Sequence, residues 1–265
     1  MKYFSLILFI FLLACNSTKN NNKTVLPQDI SMNGKLYTAM FQQRAGEYRA
    51  LCYQGYNIAK LRITEKNIHN IKPNAIITDI DETILDNSPY AVNQMYTGNG
   101  VDYTPETWYT WTDKASADTM PGVASFLNFV AAQNVEVFYI TNRANRERAS
   151  TLQNLQKFNL PNADSAHLFT KADVSSKEAR RKEVMMKYNV LLLMGDNLAD
   201  LNVLFDKKTE TDRKANADLL AAEFGNKFIV FPNANYGDWE GAFFEKNGLN
   251  QKQKDSVYKA KLKGY

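Results

Sequence analysis

Ile76-Ile77-Thr78-Asp79-Ile80-Asp81-Glu82-Thr83 decides how this chain is read. The run Ala75–Thr78 has the apolar, β-branched character of a short buried strand, and Asp79 ends it. Two aspartates separated by one residue at a strand end can point both carboxylates into one crevice. There one can attack phosphorus while the other shuttles a proton to the leaving oxygen. The same pair also suits a bound metal, or simply a turn, so the pattern is weak when it stands alone.

Its surroundings narrow the choice. Downstream, helical spacing covers 121–134, and Val135–Ile140 has strand composition. A helix is expected at about 143–158, a strand near His167–Phe169, a charged helix at 175–188, and strands at Val190–Met194 and Phe228–Phe231. Strands alternating with helices predict an α/β fold of βαβ units around a parallel sheet. Upstream, Tyr37, Phe41, Tyr48, Leu51, Cys52 and Ile58 fall on one stripe and predict a single amphipathic helix over 35–63, with Cys52 a buried thiol. Residues 82–120 break the alternation with an aromatic-rich insertion after the first strand. An insertion there lies over the carboxyl ends of the strands, where parallel sheets hold ligands.

Three further segments carry polar groups at strand ends or a helix start. Thr141-Asn142 closes Val137–Ile140 and offers a hydroxyl and an amide to a phosphate oxygen. Lys177 opens the charged helix, where an ammonium can neutralise a phosphate and a nucleophilic carboxylate. Gly195-Asp196-Asn197-Leu198-Ala199-Asp200 follows the next strand, and its two carboxylates suit a hard divalent cation such as Mg²⁺.

Composition excludes other chemistry. The net charge of +4 over 265 residues, without dense Lys/Arg clusters, argues against nucleic-acid binding. Two cysteines cannot build a four-thiolate zinc site, and two histidines, His69 and His167, cannot supply a multi-histidine centre. The N-terminus reads as a signal: Lys2 precedes the short apolar run Tyr3–Ala14, and Leu12-Leu13-Ala14-Cys15 looks like a bacterial lipobox. Residues 1–14 are expected to be a signal peptide, and 15–34 a lipidated Cys15 with a polar tether. A single domain is then expected over 35–265, with its insertion at about 82–120.

Asp79-x-Asp81-x-Thr83, Thr141-Asn142, Lys177 and Gly195-Asp196-x-x-x-Asp200 occur in the order of the four motifs of the haloacid dehalogenase superfamily. The longer strings Asp81–Tyr90, Ile140–Arg143, Gly195–Leu198 and Phe231–Glu240 resemble the class C bacterial acid phosphatases, which are lipoproteins. The resemblance runs from about residue 35 to the C-terminus and includes the lipobox. It implies a Rossmann-like parallel sheet flanked by helices, with a small, mainly helical cap inserted after the first strand. Asp79 would be the nucleophile and a Mg²⁺ ligand, and Asp81 the general acid and then base, binding the metal through its backbone carbonyl. Thr141 and Lys177, with Asn142 beside them, would hold the phosphoryl oxygens. Asp196 would complete the metal ligands, with Asp200 orienting metal-bound water. Trp108 and Tyr236 match aromatic positions that sandwich a nucleotide or aryl ring. Leu201 departs from the usual Phe without touching the chemistry.

The expected function is Mg²⁺-dependent hydrolysis of phosphomonoesters, such as nucleoside monophosphates and aryl phosphates, through an aspartyl-phosphate. Phosphotransfer to an alcohol and a non-catalytic surface lipoprotein are the alternatives. Asn16 after the lipobox Cys resembles the outer-membrane class of lipoproteins, and self-association as a homodimer is left open.

Overall fold

The computed structural model describes residues 30–68, 71–97, 103–246 and 248–265, with side chains from Gly34 onward. The signal segment, Cys15, most of the tether and His69 lie outside the described residues.

Two helices open the described chain, α1 (Ile30–Arg44) and α2 (Gly46–Lys66), where the stripe predicted one. Ala45 takes an extended ψ of 131°, and Gly46, a poor helix former, follows it. The break divides the apolar stripe. Tyr37, Phe41 and Leu51 are largely exposed, and the buried face is Tyr48, Cys52, Tyr56, Ala59 and Ile63, all on α2. Cys52 is fully buried, as its place on the stripe suggested. Burial chiefly, with the nearby Asp86 carboxylate, pushes its thiol up to about 12.

The strands follow as β1 (Asn74–Thr78), β2 (Leu85–Asp86), β3 (Asp118–Thr119), β4 (Glu136–Ala144), β5 (Leu168–Lys171), β6 (Asn189–Gly195) and β7 (Phe228–Val230). Five form one parallel sheet in the order β5-β4-β1-β6-β7, with β1 at its centre. Every residue of β1 is buried, as a strand covered on both faces requires. Ile76 packs with Val137, Tyr139, Leu192 and the α2 face on one side. Ala75 and Ile77 pack with Phe138, Ile140 and Leu193 on the other. Leu201 is buried in this second layer and fills a core position, so its departure from the usual Phe is a matter of packing.

Between β1 and β4 lie α3 (Ser88–Tyr96), α4 (Pro105–Thr112) and α5 (Val123–Ala132). The antiparallel ribbon β2–β3 pairs Leu85 with Thr119 and joins the two ends of the aromatic insertion. Thr104 caps α4, and Pro105 at the first turn starts it at no hydrogen-bond cost. After β4 come α6 (Arg148–Lys157) and α7 (Glu178–Lys187), the latter three residues later than charge patterning suggested. Three more helices, α8 (Glu210–Leu219), α9 (Asp238–Phe244) and α10 (Gln251–Lys261), bury only Arg213 and Phe244 among them and lie outside the elements expected from sequence. Among the described residues no helix is long and apolar enough to cross a membrane.

Candidate active site

A parallel sheet sends all its strands out on the same side, so residues far apart in sequence meet beyond their carboxyl ends. A cavity of about 380 Å³ opens there. Asp79 and Asp81 line it from the end of β1, Asn142 from β4, Lys177 from the start of α7, and Asp196 and Asp200 from beyond β6. Trp108 of α4 and Tyr236 of the loop after β7 line it as well. Thr141 is the exception among the expected residues. Its fully buried hydroxyl donates to Asp81 Oδ2 (3.4 Å) and accepts from the Arg143 amide (3.1 Å), so it backs Asp81.

Asp79 stands in register at the sheet's centre, its amide bonded to the Met194 carbonyl at 2.9 Å. The Lys177 ammonium donates to Asp79 Oδ1 and, at 2.7 Å, pairs with Asp200 Oδ1. Burial works against the charge on Lys177, but Asp200 and Asp79 outweigh it and raise its pKa, so it stays an ammonium. Asp200 Oδ2 accepts from the Asn197 amide (3.1 Å), and Asn233 donates to Asp196 Oδ2 (2.7 Å). The approach of Asp200 to β6 is so close that a Cβ on Gly195 would lie 2.5 Å from Asp200 Cβ. Glycine is required there.

Asp79, Asp196 and Asp200 each bring one carboxylate oxygen to within 4.8 Å of the others. Burial raises Asp79 to about 7; Lys177 opposes this, while Asp200 and Asp81 add to it. Burial, then Asp200 and Asp79, drives Asp196 well above the ordinary carboxylate range. Three close carboxylates against one ammonium leave an excess of negative charge, and all the donors are oxygen. Both features fit a hard divalent cation.

Asp81 has a different setting. The Arg143 guanidinium, 2% exposed, reaches Asp81 Oδ1 through Nη2 (2.8 Å) and Nε (3.0 Å), and Asn87 donates to the same oxygen at 2.9 Å. Arg143 also lies 5.8 Å from the Trp108 ring centroid. Trp108 is mostly buried, edge-to-face on Tyr90 at 5.1 Å, whereas Tyr236 is 37% exposed and turns its hydroxyl inward to Glu82. Arg143, Asn87, Glu82 and Asn233 were not singled out from sequence. All four lie within the strings that carry the class C resemblance, and Arg143 left a second signal: two residues past Thr141 on an extended strand, it shares that residue's face. His167 is not at the site; it pairs with Asp164 and Glu136 near the opposite ends of the strands.

The family model described as HAD superfamily, subfamily IIIB (acid phosphatase) matches residues 7–239. The chain belongs to this acid phosphatase subfamily. Among solved structures, the class C acid phosphatase from Bacillus anthracis superposes with a TM-score of 0.84 at 35% identity. The match covers 89% of this chain and 99% of that one, and equally so in a crystal structure with tungstate bound. Two stem glycoproteins of Glycine max, of 28 and 31 kDa, are 26% identical over 133 residues, or 47% of this chain. The chain spans about half the length of these curated relatives, 51% and 45%. Subfamily membership agrees with the resemblance carried by the four motifs, and the class C fold match agrees with the observed α/β architecture.

Proposed function

We propose that the protein is a Mg²⁺-dependent phosphomonoesterase that works through an aspartyl-phosphate on Asp79. One observation carries the reading: Asp79 and Asp81 line the same cavity, each held by its own buried cation, Lys177 and Arg143. Lys177 binds Oδ1 of Asp79, which leaves the other oxygen to attack phosphorus. As that bond forms, the ester P–O bond breaks, and Asp81 delivers a proton to the leaving oxygen. Water then attacks the phosphoryl group, Asp81 takes its proton, and the Asp79–phosphorus bond breaks to release phosphate. Arg143, Thr141 and Asn87 hold Asp81 in the position from which it reaches both oxygens.

Asp79 and Asp196, with the Asp81 carbonyl, would hold Mg²⁺, which supplies charge neutralisation for the phosphoryl oxygens. Lys177 adds to that neutralisation from the protein side, and Asn142 lines the same cavity. The tungstate in the Bacillus anthracis structure supports a site for tetrahedral oxyanions in this fold. Trp108 and Tyr236 would receive the flat leaving group of a nucleoside monophosphate or aryl phosphate. The lipobox alone supports anchoring through lipid on Cys15 at the outer membrane of a bacterium.

Phosphate release from nucleotides, sugar phosphates and aryl phosphates, with and without Mg²⁺, tests the reading. Activity should vanish in chelator, return with Mg²⁺, and be absent in Asp79→Asn. Turnover by Asp79→Asn at the parental rate would exclude the covalent route.

A further inference from the structure

Glu82 directly follows Asp81, yet the chemistry above leaves it without a task. It is 1% exposed, and its backbone has φ of +54°, a left-handed conformation uncommon for a residue with a side chain. A carboxylate buried this deeply is costly unless its oxygens are satisfied, and here donors satisfy both. Oε1 accepts from the Asn87 amide (2.8 Å) and from Gln42 Nε2 (3.3 Å). Oε2 accepts from Asn87 Nδ2 (3.2 Å) and from the Tyr236 hydroxyl. These donors come from α1, from the turn before α3, and from the loop after β7. Strained backbone of this kind persists where its surroundings over-determine it, and such positions cluster at functional sites.

Tyr236 shows what the arrangement achieves. Its ring lines the cavity together with Trp108 and Asp81, while its hydroxyl is taken inward by Glu82. The phenolic oxygen lies on the axis about which the ring turns, so anchoring it fixes the direction of the side chain. The preference of a phenol O–H to stay in the ring plane then orients the ring toward its acceptor on Glu82. We propose that Glu82 is a positioning residue that sets the Tyr236 ring over the cavity and thereby sets the preference for leaving groups that carry a flat ring. The proposal rests on the phosphomonoesterase reading above. Glu82 does not line the cavity, so it acts on substrate through the groups it holds, Tyr236 directly and Asp81 by way of Asn87, and the test separates the two.

The test compares kcat/KM for an aryl phosphate with kcat/KM for a small aliphatic phosphomonoester in four proteins: parent, Glu82→Gln, Tyr236→Phe and the double variant. The Asn87 amide and Gln42 demand an acceptor at one end of residue 82. In Glu82→Gln the amide nitrogen is therefore driven to the other end, where it meets the Asn87 Nδ2 donor. There it can hold Tyr236 only by donating to the phenolic oxygen, a reversed and weaker bond without the carboxylate charge. Tyr236→Phe keeps the ring and removes only the O–H, so it reports even if Glu82→Gln folds poorly. Each single variant should lower the aryl-to-aliphatic ratio by about five-fold or more, mainly through a higher KM for the aryl ester. The double variant should lose no more than the larger single, because both substitutions act on the same bond.

Equal losses on the two esters in Glu82→Gln would make Glu82 a structural support of the whole site, by way of Asn87 and Asp81, and overturn the proposal. So would additive losses, or a parental ratio in Tyr236→Phe. A parent that hydrolyses both esters while the ratio never moves defeats this proposal alone. A parent that hydrolyses neither defeats the phosphomonoesterase reading, and this proposal with it.

Discussion

Replacing Gly195 by alanine should damage both stability and catalysis. The new Cβ would lie 2.5 Å from Asp200 Cβ and Oδ2 and 2.8 Å from its Cγ. Ordinary contact between carbon atoms is about 3.5–4.0 Å, so something must move by roughly 1 Å. The backbone of β6 cannot easily do so. Gly195 pairs with Val230, its carbonyl accepts from the Phe231 amide at 2.9 Å, and β6 is hydrogen-bonded to strands on both sides. Asp200, on a short 3₁₀ turn, must therefore yield, which draws Oδ1 from Lys177 and Oδ2 from the Asn197 amide. Overpacking costs about 1–3 kcal/mol, and a weakened hydrogen bond to a buried charge about 1.5–3 kcal/mol. The predicted loss is thus about 2.5–6 kcal/mol. Lys177 also binds Asp79, and a misplacement of roughly 1 Å at a reacting centre can cost about 100-fold in rate. Urea unfolding and phosphate release measure the two effects. Gly34→Ala is the control: in α1 its Cβ would meet nothing within 4 Å, and it should stabilise by about 0.5–1 kcal/mol. A Gly195→Ala protein with the parental urea midpoint and parental kcat/KM would falsify the steric argument.

Other consequences are open to simpler measurements. Cys52, fully buried with its thiol raised to about 12, should resist a maleimide at pH 8 in the folded protein and react promptly in denaturant; rapid native labelling would contradict its burial. His167 should support stability in acid. Burial opposes its charge, but hydrogen bonds to Asp164 and Glu136 prevail and raise its pKa above 6.5, so its contribution is complete below about pH 6.5 and fades as pH rises through the higher folded value. Unfolding of parent and His167→Gln across pH 5 to 9 should show the gap closing upward, and a gap that widens with pH would reverse the assignment. Cys15→Ser should leave the protein unacylated and move it out of the detergent phase; partitioning like the parent would mean that lipid on Cys15 is not the anchor.

Ile76–Thr83 was legible because a central parallel strand must be apolar on both faces, and its last residues must turn polar where a ligand is met. The alternation from residue 121 onward was legible for the same reason, each strand and helix having its own period of burial. Residues 35–63 belong to two helices where the apolar stripe predicts one. Helical periodicity cannot register a single extended residue, and Ala45 followed by Gly46 is a break that needs no proline. The helices α8 to α10 are not legible because they bury only Arg213 and Phe244 among them, so no set of core residues marks them.

Residue types and their order determined the class of fold, the candidate acids and the candidate ammonium, since such chemistry needs charged groups at strand ends. Only the tertiary structure decided which group faces which. Lys177 lies 98 residues from Asp79, and Arg143 62 residues from Asp81, and nothing local assigns one cation to each carboxylate. Thr141 was expected beside the phosphate, but the pleat of β4 turns its hydroxyl toward Asp81, a matter of strand register that composition does not carry. Glu82 and Tyr236, 154 residues apart, are joined by a side-chain hydrogen bond between a buried turn and a distant loop. Such pairings are set by how the chain closes on itself, because sequence spacing records neighbours along the backbone and hydrogen bonds record neighbours in space.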